Sequence, residues 1–136
     1  MAKGPAKTII PNFIKETLKN IELVEKKVSF EIFKRVVLRT PVKSGRARGG
    51  WHISINKREY FFDDDFVDKN GGTVLQTVLQ VLNTLKPGKE STIFFTNNVP
   101  YILFLEDGDS TQAPRGMVRV SITQFVNAVN RAARTV

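Results

Sequence analysis

The pattern that most constrains this chain is a long apolar stripe at helical spacing. Ile14, Leu18, Ile21, Val24, Val28, Ile32 and Val36 recur in steps of three or four, which places them on one face of an α-helix. Asn12, behind Pro11, is suited to cap its start. Thr40-Pro41 stops it, because the residue before proline is pushed out of the helical region. A helix from Asn12 to Arg39 would be about 40 Å long at ~1.5 Å per residue. From Val28 onward, Phe30, Phe33, Val37 and Leu38 add a second apolar side. A helix apolar on two sides is covered by more than its own sheet. The cover is either a second layer of the domain or a neighbouring subunit.

The remaining elements are shorter. Residues 1–11 are small and basic and include Gly4 and Pro5, so they read as a flexible arm; residues 12–136 read as one domain. Lys43 to Gly50 is a glycine-bearing basic loop. Trp51 to Asn56 alternates large apolar with polar side chains and reads as a strand with one buried face. Lys57 to Asn70 joins the apolar Tyr60-Phe61-Phe62 to Asp63-Asp64-Asp65 and reads as a long excursion. Val74, Leu75, Val78, Leu79 and Leu82 sit at helical spacing, so a helix is expected to end near Leu85. Ser91 to Thr96 is a strand on composition, and Asn97-Asn98 a turn. Pro100 suits the first turn of a short helix and Gly108 its end. Met117, Val120, Ile122, Phe125, Val126 and Val129 mark a final amphipathic helix, with Arg119, Arg131 and Arg134 on its outer face. The expected fold is α+β: a small, mostly antiparallel sheet packed against a long N-terminal helix and a C-terminal helix.

Composition narrows the function classes. A chain of 136 residues buries roughly two-thirds of its unfolded surface, enough for a core without staples. It has no cysteine, so disulfides, zinc ribbons and cysteine nucleophiles are excluded, and a reducing cytosol is the expected folding compartment. No apolar run approaches the ~20 residues that span a bilayer, and no membrane partner is expected. Lys and Arg number 21 against 13 Asp and Glu, a net charge of +8. That excess favours polyanions or acidic protein surfaces.

The residues that carry chemistry are few. His52, the one histidine, reads either as a general base or as a side chain on the polar face of its strand. One histidine cannot make a three-histidine metal site. Asp63, Asp64 and Asp65, with Asp68 nearby, read either as oxygen ligands for a hard cation or as a solvated acidic patch meeting a basic partner. Lys43, Arg46 and Arg48 form the densest basic region. A glycine-punctuated basic loop approaches phosphates closely, and it equally suits contact with protein. No Ser-His-Asp order or glycosidase-like carboxylate pair is recognisable, so no enzyme and no cofactor is expected.

Two stretches, taken together, carry a resemblance. The first is Arg39-Thr40-Pro41-Val42-Lys43-Ser44-Gly45-Arg46-Ala47-Arg48-Gly49-Gly50-Trp51. The second is Asn98-Val99-Pro100-Tyr101-Ile102-Leu103-Phe104-Leu105-Glu106-Asp107-Gly108, followed by Gln112-Ala113-Pro114-Arg115-Gly116-Met117. In order and spacing they resemble the small neck and tail-completion proteins of long-tailed bacteriophages. This chain departs from that pattern at Lys43-Ser44, where an acidic residue and threonine are frequent, and at Asp107, where an aromatic is common. The resemblance implies a structural virion protein of the head–tail junction, made in the host cytoplasm. It implies a ring of copies, sixfold in the family, with the connector or stopper on one side and the tail terminator or tube on the other, and DNA passing through.

On this reading Trp51 anchors its strand in the core. Arg46 and Arg48 project from a hairpin-like base. Tyr101, Phe104 and Leu105 form an apolar patch that serves either as core or as a subunit contact. Lys43, Arg46 and Arg48 face a partner or the DNA channel. The alternative is a monomeric basic nucleic-acid-binding module.

Overall fold

The computed structural model describes residues 23–86 and 88–134. The arm expected over 1–11 and the helix start expected at Asn12 lie outside them. Within the described residues the first helix, α1, covers 23–39. The order then runs α2 (Arg46–Gly49), β1 (Trp51–Ile55), α3 (Gly72–Leu82), β2 (Ile93–Asn97), α4 (Ile102–Glu106) and α5 (Val118–Arg134). The strands form a two-stranded antiparallel sheet, with Trp51 opposite Asn97, Ile53 opposite Phe95 and Ile55 opposite Ile93. The fold class is α+β, as the sequence predicts.

The apolar periodicities meet in one core. Val36 and Val37 from α1, Trp51 and Ile53 from β1, Val74, Val78 and Leu82 from α3, and Ala113 and Met117 ahead of α5 form its buried cluster. The α3 residues recur every four positions, so one face of that helix lies against β1. Phe95 links sheet to helix: its ring stacks on Phe33 of α1 at 4.1 Å and on Trp51 at 4.8 Å between centroids. Aromatic stacks of this kind add to the area they bury.

Two expectations change in detail. The stretch from Lys43 to Gly50, read as a loop, contains the helical turn α2. Gly45 adopts a left-handed conformation at φ 92° and its carbonyl accepts the Gly49 N–H at 2.9 Å, which closes that turn. A Cβ at Gly45 would stand 2.8 Å from the Lys69 backbone nitrogen, so only glycine fits. The C-terminal helix meets the core mainly at its start. Met117 and Ser121 are fully buried, whereas Ile122 and Val126 are exposed. The apolar stripe of α5 is therefore left partly exposed among the described residues.

The excursion over 57–70 has no helix or strand, and it is held at several points. The Asn98 side-chain amide donates to the Glu59 and Phe61 carbonyls at 3.2 and 3.0 Å. The Phe66 N–H reaches the Asp63 carbonyl at 3.3 Å, and the Asp68 N–H reaches that of Gly45 at 2.9 Å. Among the described residues, no helix is long and apolar enough to cross a membrane.

Candidate functional site

The first motif is built around the end of α1. Thr40 is fully buried. Its hydroxyl donates to the Val36 carbonyl at 2.8 Å and accepts the Trp51 indole N–H, also at 2.8 Å. The buried indole thereby has the polar partner it needs, and Trp51 is the core anchor that the sequence predicts. The last carbonyls of α1 have no helical partners. The Thr40 N–H takes the Val36 and Val37 carbonyls at 3.1 Å, and Arg48 takes the next: its guanidinium donates to Leu38 O at 2.9 Å, to Thr40 O just beyond the helix at 2.9 and 3.2 Å, and to Lys69 O at 2.8 Å. A cation suits the negative end of a helix dipole. Burial lowers the Arg48 pKa and the nearby Asp68 carboxylate partly restores it.

This corrects one expectation. Arg48 does not project; it turns inward and ties the helix end to the excursion. Arg46 does reach the surface, where its Nε donates to the Asp64 carbonyl at 3.1 Å and pairs with the Asp64 carboxylate at 3.2 Å. Lys43 is exposed. Of the three basic residues, only Lys43 and Arg46 are placed to meet another molecule.

The second motif presents α4. Leu103 is 74% exposed and Phe104 65% exposed, and Tyr101 is also accessible. Leu105 turns inward and packs against the core. Tyr101 and Phe104 thus form a surface patch, Leu105 belongs to the core boundary, and Leu103, which the sequence does not single out, joins the patch.

Glu106 secures this short helix to the next. The first turn of α5 contains no acidic residue. Glu106 serves instead: its carboxylate accepts the N–H groups of Met117 at 2.8 Å, Val118 at 2.9 Å and Arg119 at 3.1 Å. A carboxylate held by orphan amides at a helix start is favoured by hydrogen bonding and by the dipole. The Arg119 side chain then closes on the Glu106 carboxylate at 3.3 Å and carbonyl at 2.9 Å. Burial pushes the Glu106 carboxyl up. The amides of Val118, Met117 and Arg119, with the Arg119 guanidinium, outweigh burial and leave its pKa below the ordinary range. Gly116 lies against the Glu106 carbonyl at φ 84° and leaves no room for a Cβ, which accounts for the glycine before Met117.

The two motifs meet through Gln112. Its side-chain amide accepts the Val42 N–H at 2.8 Å and donates to the Val42 carbonyl at 3.0 Å. Asn97 adds a second tie by donating to the Ala47 carbonyl at 2.8 Å. Between the motifs lies an open groove of about 630 Å³, lined by Lys43, Arg46, Tyr101, Leu105, Ser110 and Gln112 among others. A basic rim beside an apolar floor suits a protein segment better than a small reactant.

The other candidates separate. Asp63 accepts the Asp65 N–H at 3.0 Å within a turn, Asp64 pairs with Arg46, and the buried Asp68 accepts the Val74 N–H at 2.9 Å at the start of α3. Among the described residues no group of three or more His, Asp or Glu converges as a metal site. His52 stands edge-on to Phe61 at 5.5 Å and lines a second cavity of about 300 Å³ with Phe66, Thr73 and Thr77. Burial lowers its pKa, against a weaker opposing effect of Glu59, so the ring is neutral at pH 7.

Gln112, Glu106, Thr40 and Asp68 fix this geometry, and only the first three lie inside the recognised stretches. Gln112 reaches Val42, Glu106 the α5 amides and Thr40 the Trp51 indole across one or more intervening elements, so no local periodicity marks those ties. No family model matches this chain, and neither does any curated protein or solved structure.

Proposed function

We propose that this chain is a structural virion protein of the head–tail junction of a long-tailed bacteriophage. In this reading it is a neck or tail-completion subunit that assembles with copies of itself into a ring. The ring joins the connector or stopper to the tail terminator or tube and lets DNA pass. The order and spacing of the two sequence stretches support this. The observation that carries it is the apolar surface of α4, where Leu103 and Phe104 face solvent on a helix fastened at its end by Glu106. Large side chains exposed on a fixed base mark a protein contact. The basic excess then serves acidic neighbours or the channel wall.

The test pairs two measurements. Gold-labelled protein located in intact particles is expected at the neck, and Leu103→Ser with Phe104→Ser is expected to yield unjoined heads and tails while the protein still folds. Particles that assemble normally with the double variant, or that contain no label at the neck, would overturn the reading. The alternative of a monomeric nucleic-acid module gains less, because Arg48 is tied to the end of α1 and Arg46, although at the surface, already pairs with Asp64.

A further inference from the structure

Charge on this chain is segregated. Glu59, Asp63, Asp64, Asp65 and Asp68 fall between residues 59 and 68, a span with no Lys or Arg, in a chain whose net charge is +8. Asp68 and Asp64 are used internally, as described, which leaves Asp63 and Asp65 at the surface. Beside them stand Tyr60, 73% exposed, and Phe61, 58% exposed. This strap therefore shows acidic groups flanked by largely exposed aromatic rings, Tyr60 with the Arg58 guanidinium 5.0 Å over one face and Phe61 edge-on to His52.

The outer face of α1 shows the opposite sign. Leu23, Lys27, Lys34 and Leu38 are all exposed, and their spacing places them along one face of the helix. That face reads apolar, basic, apolar. Glu31, which lies between the two lysines, is paired with Arg35 at 3.6 Å. Leu23 and Leu38 remain 46% and 44% exposed.

We infer that the acidic aromatic strap of one copy, through Tyr60, Phe61, Asp63 and Asp65, docks on the Leu23–Leu38 face of α1 in a second copy. The contact is heterologous, since two different surfaces meet, and such contacts propagate into rings. It rests on the reading of this chain as a ring subunit. Charge complementarity selects a second copy as the occupant. The strap is an acidic, apolar surface in a chain of net charge +8, and opposite signs set register while apolar flanks exclude water.

The test uses the purified full chain in sedimentation equilibrium over a range of salt. Wild type is expected to self-associate, more weakly as salt rises. Asp63→Lys with Asp65→Lys makes both surfaces basic, and Lys27→Glu with Lys34→Glu makes both acidic. Each variant alone is expected to associate at least about tenfold more weakly. An equimolar mixture of the two is expected to regain association, because each strap then finds an opposite helix. Should the strap double variant fail to fold, Asp65→Lys paired with Lys34→Glu gives the same comparison, since the Asp65 carboxylate holds no described partner. Wild type that associates, with folded variants that associate equally well or a mixture that does not recover, would overturn this contact and leave the ring reading standing. Wild type that stays monomeric would overturn both. A monomer that binds a short DNA strand through Lys27 and Lys34 would assign the face to a polyanion and overturn the contact as well.

Discussion

Gln112 and Val42, seventy positions apart, are joined by a two-way amide pair: the Gln112 side chain accepts the Val42 N–H at 2.8 Å and returns a hydrogen bond to its carbonyl at 3.0 Å. One side chain thereby imitates a neighbouring strand for one residue. It closes the loop after α1 onto the segment that leads to α5. Gln112→Leu keeps the bulk and loses both bonds. The pair is exposed, so the expected loss is about 1 kcal/mol, at the low end of two neutral bonds. Thermal melting measures the loss, and faster hydrogen exchange at the Val42 amide locates it. A variant with unchanged exchange at Val42 would show that the pair does not hold the loop.

The Trp51 to Thr40 to Val36 relay predicts a graded series. Trp51→Ala removes a buried ring that stacks on Phe95 and is expected to cost about 3–5 kcal/mol. Trp51→Phe keeps an aromatic ring and leaves the Thr40 hydroxyl without its donor, for a smaller cost of about 1–3 kcal/mol. Denaturant unfolding of both variants checks the order. Equal costs would mean that the hydrogen bond contributes nothing beyond packing.

Glu106 sets an acid limit. Its folded pKa lies below its unfolded value of about 4.3. A carboxyl with a depressed folded pKa stabilises fully above the unfolded value, and the contribution fades as pH falls through the folded value. Glu106→Gln is therefore expected to lower the melting temperature near pH 6 to 7, with the gap to wild type closing below about pH 4. His52 adds a separate loss that begins below its unfolded pKa of about 6.5, because burial depresses its folded value as well. That limb is expected to survive in the Glu106→Gln variant. A gap that stays constant down to pH 3 would refute the role given to the carboxylate.

Arg46 and Arg48 are expected to behave differently although they stand two residues apart. Arg48 satisfies the Leu38, Thr40 and Lys69 carbonyls, so Arg48→Glu leaves them without this donor and brings a negative charge toward Asp68. These bonds are part-buried or exposed, so a loss of about 1–3 kcal/mol is expected, the range for hydrogen bonds to a charged group. Arg46 makes an exposed pair with Asp64, and Arg46→Glu is expected to cost under about 1 kcal/mol. Circular dichroism melts of the two single variants decide it. Equal stability would mean that the Arg48 contacts are not formed in solution.

Local physics made much of the fold legible. The stripe through Val36, the stop at Thr40-Pro41 and the alternation at Trp51 each depend on neighbours in sequence. Helix, break and strand lie where those rules place them. The helical reading of residues 73–85 also holds over most of its length, because Val74, Val78 and Leu82 share a face whatever their β-branching.

The tertiary structure decided which side chains are free to meet another molecule. Lys43, Arg46 and Arg48 are equivalent in composition, and only the approach of Leu38, Thr40 and Lys69 carbonyls turns Arg48 inward. Leu103, Phe104 and Leu105 are consecutive and apolar, and only the position of the core separates Leu105 from the other two. Glu106 becomes the cap of α5 because folding delivers three distant amides to it. Apolar spacing and proline are properties of a few adjacent residues, so the sequence alone determines the longer elements, though not the turn α2. Exposure and pairing depend on groups brought together from remote positions, so they exist only once the chain has closed on itself.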